Sequence, residues 1–178
     1  MILRAATGSD ASFLLALRTD PMALKYMPLL KLDLAAMLTR IAAAAQEINL
    51  TESAELMYII ELDGVAVGMV GANQRSPMMR YTEVAYSLLP EWRGKGLATQ
   101  ALCLWIELLL STGYRRLGAL ISAHNQPSLT LAARVGFVRE GVLRQHFLIA
   151  GESQDQVVLG LLASEWPQTL QGSQNVPD

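Results

Sequence analysis

The stretch that decides the fold is residues 80–99, Arg-Tyr-Thr-Glu-Val-Ala-Tyr-Ser-Leu-Leu-Pro-Glu-Trp-Arg-Gly-Lys-Gly-Leu-Ala-Thr. It predicts a strand, a basic glycine turn and then the first turn of a helix. Backbone N–H groups of residues 93–98 can then point at one anion on the helix N-terminus, where the helix dipole also favours negative charge. Gly94 and Gly96 allow close approach and positive φ, while Arg93 and Lys95 add positive charge. The turn therefore predicts a phosphate or pyrophosphate ligand.

Length and composition favour one well-packed domain. The chain has 178 residues, of which 52% are hydrophobic and 17% are charged, and such a chain can bury a substantial core. We predict a single domain over residues 1–166. Residues 167–178 are rich in Pro, Gln and Asn with little to bury, so we expect them to form a disordered tail.

Several classes of function are excluded by composition. A net charge of −2 gives no support to a general nucleic-acid-binding role. The single cysteine, Cys103, excludes a disulfide framework and a cysteine-rich zinc site. Neither histidine has a partner at metal-ligand spacing, so we expect no metal. We find neither a signal peptide nor a stretch apolar enough to span a membrane, and expect a cytoplasmic protein without membrane partners.

Outward from the turn, hydrophobic periodicity and turn signals divide the chain into strands and helices. Predicted strands cover residues 2–5, 56–62, 65–72, 81–89, 116–123, 137–149 in one or two pieces, and 156–162. Predicted helices run from residues 7–10 to 18, and over 33–48, 97–111 and 126–134. The order β-α-α-β-β-β-α-β-α-β-β predicts an α/β (α+β) fold in which helices cover a mixed sheet.

Three blocks of sequence, taken together, resemble the GNAT N-acetyltransferase superfamily, in its ribosomal-protein alanine N-acetyltransferase-like branch. The first has the pattern Arg/Gln-x-x-Gly-x-Gly/Ala, met by Arg93, Gly96 and Ala98. The second and third are Asn125-Gln126-Pro127-Ser128 followed by Val135-Gly136-Phe137 and Glu140-Gly141, and the ending from Asp155 to Glu165-Trp166. The order and spacing of the blocks, over residues 3–166, carry the resemblance.

The resemblance implies a GNAT-like central sheet, mixed but mostly antiparallel, of six to seven strands flanked by about four helices. It also implies a splay between the fourth and fifth strands and acetyl-CoA as co-substrate. The implied residues for the acetyl and pantetheine end are Tyr86, Ser87 and Leu88. Those for the pyrophosphate are Arg93, Gly94, Lys95, Gly96, Leu97, Ala98 and Thr99, and Asn125 would contact the cofactor arm.

The implied reaction is direct attack of a primary amine, on a protein N-terminus or a small molecule, on the thioester. It needs a general base and an N–H donor for the oxyanion, which the backbone near Leu88 can supply. Glu83 is the candidate base, with pairing to Arg80 as the alternative, and His146 is a second candidate. Ser128 is the candidate hydroxyl near the thiolate, although a helix N-cap role for Ser128 is also open.

Two departures from the family keep another function open. Many members have a glutamate five residues before the asparagine and a tyrosine seven residues after it, where this chain has Leu120 and Ala132. A coenzyme A-binding or sensor domain with weak or no catalysis is therefore an alternative. A dinucleotide-binding fold fails, because Thr99 occupies the third glycine position and the N-terminal strand–helix alternation is missing. The acceptor, and the choice between monomer and homodimer, are left open.

Overall fold

The computed structural model describes residues 1–166, so the predicted tail lies outside the described residues. The strands are β1 (Ile2–Ala5), β2 (Leu56–Leu62), β3 (Val65–Ser76), β4 (Tyr81–Leu88), β5 (Arg116–Ser122), β6 (Val138–Ile149) and β7 (Glu152–Leu162). The helices are α1 (Ala11–Thr19), α2 (Pro21–Tyr26), α3 (Leu34–Ala43), α4 (Leu97–Ser111) and α5 (Gln126–Arg134). Short 3-10 helices precede α1 and follow β4.

All seven strands belong to one sheet in the order β1-β2-β3-β4-β5-β7-β6. Every neighbouring pair is antiparallel except β4 and β5, which are parallel. The mixed, mostly antiparallel sheet predicted from the sequence is confirmed. The described residues contain five α-helices rather than about four.

The strands β4 and β5 part soon after they meet. Their register holds only for Tyr81 with Arg116, Thr82 with Leu117 and Glu83 with Gly118. Beyond these pairs, β4 continues along β3 and β5 continues along β7. A wedge therefore opens between β4 and β5, and their facing edges carry backbone groups without a strand partner. This is the predicted splay.

Helices cover both faces of the sheet. Helices α1 and α3 pack Leu14, Leu17 and Met37 against Met57 and Ile59. Helices α4 and α5 cover the other face in a larger cluster. The centre of that cluster is Trp105, which is fully buried and donates its indole N–H to the Gly71 carbonyl at 3.0 Å.

Helix α2 lies where the sequence predicted only a connection. The Asp20 carboxylate accepts hydrogen bonds from the N–H groups of Met22 and Ala23, both at 3.1 Å, and Pro21 occupies the first helical position. A capping aspartate followed by proline is a helix start signal. The sequence prediction missed this six-residue helix because the prolines at positions 21 and 28 indicated a connecting stretch.

Strand β7 begins at Glu152 instead of residue 156, because residues 152–154 pair with β6. Two other boundaries differ because tertiary contacts override local propensity. Helix α3 ends at Ala43 instead of residue 48, since the following residues turn extended and Ala45 donates its N–H to Glu55 at 2.8 Å. Strand β3 continues to Ser76 instead of residue 72. Its Arg75 is buried and donates to the Tyr114 hydroxyl at 2.8 Å and to the Asn49 carbonyl at 2.7 Å.

The close contact between β3 and the end of β4 gives a test of this architecture. A β-carbon at Gly68 would overlap the Ser87 carbonyl oxygen and the Leu88 side chain, whereas one at Gly141 on β6 would meet no atom within 4 Å. We expect Gly68→Ala to destabilise the fold by about 1–3 kcal/mol through overpacking. Gly141→Ala should change stability by less than about 1 kcal/mol. Urea unfolding measures both, and equal stabilities would contradict this packing.

Candidate functional site

A cavity of about 610 Å³ is lined by β4 beyond its pairing with β5 and by helices from both faces of the sheet. One end, here called the turn end, is lined by Tyr86, Gly94, Gly96, Asn125 and Ser128 among others. The other end, here called the helix end, is lined by side chains of α1, α2 and α3 and by the start of β2. Residues 85–88 of β4 also line the cavity, and the two ends belong to one continuous space.

Most of the residues predicted to bind a cofactor meet in this cavity. Those that line it are Tyr86, Ser87, Leu88, Arg93, Gly94, Gly96, Ala98, Thr99 and Asn125. Lys95 and Leu97 belong to the same turn, but their side chains lie outside the lining. Of the two predicted catalytic residues, Ser128 lines the cavity and Glu83 does not.

The glycine turn leaves room for a ligand above the start of α4. Gly94 and Gly96 have φ angles of +73° and +78°, and a β-carbon on either would meet nothing within 4 Å. Gly96 is the N-cap of α4 and has no side-chain cap, so the first N–H groups of the helix, from Leu97 on, are free of intrahelical partners. The Lys95 ammonium lies 5.0 Å from the Trp92 ring centroid, beside the turn. Free N–H groups and a nearby cation make an anion cradle.

Arg93 lines the cavity and also makes contacts within the protein that the sequence did not reveal. Its guanidinium donates to the Leu88 carbonyl, at 3.0 and 2.8 Å, and to Asp20 at 2.8 Å. Its backbone N–H donates to the Pro90 carbonyl at 3.2 Å. Arg93 therefore ties the end of β4 to the start of α2, and Asp20 neutralises its charge. In the part of the chain that the structure describes, the N–H groups of this turn that remain open to an anion are those of residues 94–99.

The Asp20 carboxyl stays ionised because of these partners. Burial acts to raise its pKa, but the hydrogen bonds from Arg93 and from the N–H groups of α2 outweigh burial and hold the pKa below its usual value. The sequence offered one signal for this anchor, namely an aspartate directly before Pro21. The contact of Asp20 with Arg93 depends on the fold, because the two residues are 73 positions apart in the chain.

A hydroxyl pair bridges the wedge from β4 to α5. The hydroxyl oxygens of Tyr86 and Ser128 lie 2.6 Å apart, and the Tyr86 hydroxyl also lies within donating distance of the Ser128 carbonyl, at 3.2 Å. Burial raises the pKa of Tyr86, and the hydrogen bond with Ser128 offsets this only in part. Tyr86 is therefore protonated at neutral pH and can donate. The resemblance assigned Tyr86 to the acetyl and pantetheine end, and no sequence pattern indicated its contact with Ser128.

Asn125 organises the start of α5. Its side-chain carbonyl accepts the Ser128 N–H at 3.3 Å, so Asn125 is the N-cap of the helix. The alternative role of Ser128 as the cap is therefore wrong, and its hydroxyl is left to Tyr86. The cap uses only the side-chain oxygen of Asn125, so the NH2 group remains available to a ligand.

Glu83 and His146 lie away from the cavity. Glu83 is the last β4 residue paired with β5, and its carboxylate accepts the Tyr81 hydroxyl at 3.1 Å rather than pairing with Arg80. Burial, reinforced by the Glu83 charge, raises the pKa of Tyr81 to about 12. His146 stacks on Phe147, with ring centroids 5.1 Å apart, in a separate depression on β6.

Residues 1–166 lack both a metal-binding cluster and a membrane-spanning helix. They hold no group of three or more His, Cys, Asp or Glu side chains placed to bind a metal ion. None of the helices in that range has the length and apolar character needed to cross a membrane.

The anchor between Arg93 and Asp20 can be tested by a double-mutant cycle. Asn is also a good N-cap, so Asp20→Asn removes the charge and keeps a cap for α2. We expect Asp20→Asn and Arg93→Met to show a coupling energy of about 1–3 kcal/mol in urea unfolding. Arg139 is exposed on β6, so the control pair Asp20→Asn and Arg139→Met should be additive. If the changes in the free energy of unfolding are additive in both pairs, the contact between Arg93 and Asp20 does not stabilise the fold.

Comparison with known proteins agrees with this geometry. Residues 1–138 match the family model described as acetyltransferase (GNAT) domain. The chain is 36% identical over 84 residues to the ribosomal protein uS5 alanine N-acetyltransferase of Escherichia coli, an alignment that covers 47% of this chain and 43% of that protein. It is 26% identical over 114 residues to the spermidine N(1)-acetyltransferase of Escherichia coli, covering 61% and 59% of the two chains. The chain therefore spans about half the length of these curated relatives.

Solved structures show the same fold. RimJ of Mycobacterium smegmatis in complex with CoA-disulfide superposes with a TM-score of 0.79 at 24% identity, covering 93% of this chain and 83% of that chain. A ribosomal-protein-alanine N-acetyltransferase from Brucella melitensis superposes with a TM-score of 0.75 at 22% identity, covering 91% of this chain and 99% of that chain. Since the family model spans well over half of the sequence, this chain belongs to the GNAT acetyltransferase family.

Proposed function

We propose that this protein transfers an acetyl group from acetyl-CoA to a primary amine, on a protein N-terminus or a small molecule. The observation that carries the proposal is the wedge between β4 and β5, which opens directly over the glycine turn. Acetyl-CoA supplies the acetyl group as a thioester, and the amine attacks it directly. We place the reaction in the cytoplasm, where acetyl-CoA is available.

The residues of the turn end fit coenzyme A. The free N–H groups of residues 94–99, with Lys95 beside them, suit a pyrophosphate at a helix N-terminus. The edge of β4 over residues 84–88 has no strand partner on the β5 side, so an extended amide-containing arm can pair with it. The Asn125 side chain lines the same cavity, and its amide is our candidate contact for that arm.

The hydroxyl pair is our candidate for proton donation to the departing sulfur. When Tyr86 donates to the Ser128 oxygen, the Ser128 O–H is free to donate into the cavity. The hydroxyl groups of this pair come from Tyr86 on β4 and Ser128 on α5. Many family members have a tyrosine seven residues after the asparagine, but this chain has the buried Ala132 there. A backbone N–H near Leu88 is the candidate donor to the oxyanion. Glu83 acts as base in this scheme only through water, because it lies outside the cavity lining.

The alternative is a coenzyme A-binding sensor of the same fold. The observation that favours it is the absence of a carboxylate at Leu120 and of a hydroxyl at Ala132. The two functions separate in one assay. A sensor binds acetyl-CoA and acetylates no amine, whereas the enzyme releases coenzyme A only when an acceptor amine is present.

Binding of the co-substrate tests the turn. Gly96 and Gly151 both have positive φ, +78° and +85°, and open space at the β-carbon, so alanine strains the backbone equally at both. We expect Gly96→Ala to weaken acetyl-CoA binding at least about tenfold in isothermal titration, since 1.4 kcal/mol of lost contacts suffices. Gly151→Ala, in the β6–β7 hairpin, should bind like the wild type. If the two variants bind acetyl-CoA with equal affinity, the glycine turn is not part of the acetyl-CoA site.

Turnover tests the catalytic assignment. We expect Ser128→Ala to lower kcat about 100-fold with little change in KM for acetyl-CoA, since general acid catalysis typically contributes 10²–10⁴-fold. Tyr86→Phe should lower kcat less, because Ser128 retains its own proton. Glu83→Gln should cost less than about tenfold, as expected for a base that acts through water. Ser153→Ala, at an exposed serine on β7, is the control. Unchanged kcat in Ser128→Ala would refute the donor role.

A further inference from the structure

The helix end of the cavity combines an apolar wall with an excess of positive charge. The wall is rich in methionine and leucine, and the residues that form it include Leu14, Leu17, Met22, Met27, Met37, Met57 and Met69. Three charged side chains share this end, namely Arg18, Arg40 and Glu55. Their formal charges, +1, +1 and −1, leave an excess of +1.

Arg40 and Glu55 satisfy each other. The Arg40 Nε lies 2.6 Å from one Glu55 carboxylate oxygen, and its Nη2 lies 2.7 Å from the other. Such a bidentate pair uses both oxygens of the carboxylate. Glu55 is therefore committed to Arg40, and no carboxylate within residues 1–166 forms an ion pair with Arg18.

Arg18 is poorly satisfied for a charged side chain. Its Nη2 donates to the Leu30 carbonyl at 3.1 Å, and its Nε is buried with no acceptor among the described residues. Burial lowers the pKa of Arg18, the nearby Arg40 lowers it further, and Glu55 acts in the opposite sense. A cation beside an apolar wall with a buried, unpaired donor is costly unless an anion joins it. The remaining guanidinium donors of Arg18 form a planar fork that suits a carboxylate.

We propose that the acceptor is a primary amine that also carries a carboxylate on an apolar skeleton, and that Arg18 binds that carboxylate. An α-amino acid with an apolar side chain is the simplest such molecule. The inference rests on the proposed acetyl transfer and names its substrate class. A polyamine would add positive charge to an end that already has an excess, so the charge balance disfavours it.

The chemistry balances without a further reactant. The amine nitrogen bonds to the acetyl carbon, and the carbon–sulfur bond breaks. One proton leaves the amine and one proton joins the sulfur. Arg18 takes no part in these steps and acts as a positioning residue, so its substitution should change KM for the acceptor rather than kcat.

Matched acceptors test the inference. Release of free thiol from acetyl-CoA is followed with L-leucine, L-methionine and L-phenylalanine, with the amide of each, and with spermidine. We expect kcat/KM for the amino acids to exceed that for their amides at least tenfold. The comparison is stringent, because the amide form has the lower amine pKa and thus more of the reactive neutral amine at pH 7.

Substitutions assign the preference to one side chain. Arg18→Gln should raise KM for the amino acids at least tenfold and so remove their advantage over the amides. Arg18→Lys, which keeps the charge and loses the fork, should recover part of the preference. Arg139→Gln, which removes an exposed arginine on β6, should behave as wild type. Faster turnover of amides or spermidine than of amino acids, or an unchanged preference in Arg18→Gln, would overturn the inference.

A binding measurement separates this inference from the proposed function. The probe 4-methylpentanoate carries the carboxylate and no amine, and 4-methylpentanamide is its neutral match. We expect the carboxylate alone to bind the acetyl-CoA-saturated protein in calorimetry, and Arg18→Gln to abolish that binding while acetyl-CoA still binds. Absence of carboxylate binding would overturn the inference even where an amine is acetylated. Carboxylate binding without acetylation of any amine would refute the proposed function and leave the Arg18 site standing.

Discussion

The parting of β4 from β5 is the constraint on which the rest of the structure depends. Backbone N–H and C=O groups strongly favour being paired, yet these strands pair only over Tyr81–Glu83 and Arg116–Gly118 before they diverge. Each is held by its other neighbour, β3 or β7, so the wedge does not close. The unpaired edges, the glycine turn and the hydroxyl pair all face the same opening. The site is thus a consequence of the sheet's own topology.

The two ends of the cavity have different chemistry and are linked by one anchor. The turn end offers N–H groups to phosphates, and the helix end offers apolar side chains with Arg18. Arg93 joins them, because it bonds the end of β4 and the Asp20 cap of α2 together. Helix α2 carries Met22, part of the wall of the helix end. The position of that wall therefore depends on the same arginine that shapes the turn.

Features set by nearby residues were predictable from the sequence, and features set by distant contacts were not. The glycine turn, helices α4 and α5 and strand β2 follow from local patterns, and their bounds agree with the prediction. The direction of Arg93 depends on Asp20, which is 73 residues away in the chain. The hydroxyl pair joins Tyr86 to a residue 42 positions later. Likewise, α3 stops early because Ala45 meets Glu55. Residue type alone could not reveal these pairings.

Amide hydrogen exchange with and without acetyl-CoA tests the central claim most directly, because it reports which backbone groups the co-substrate occupies. We predict that acetyl-CoA slows exchange at least tenfold for amides of residues 94–99 and for those of residues 84–88 that face β5. Amides of β6, on the far edge of the sheet, should keep their exchange rates. Protection confined to other segments, with the wedge unchanged, would contradict the account.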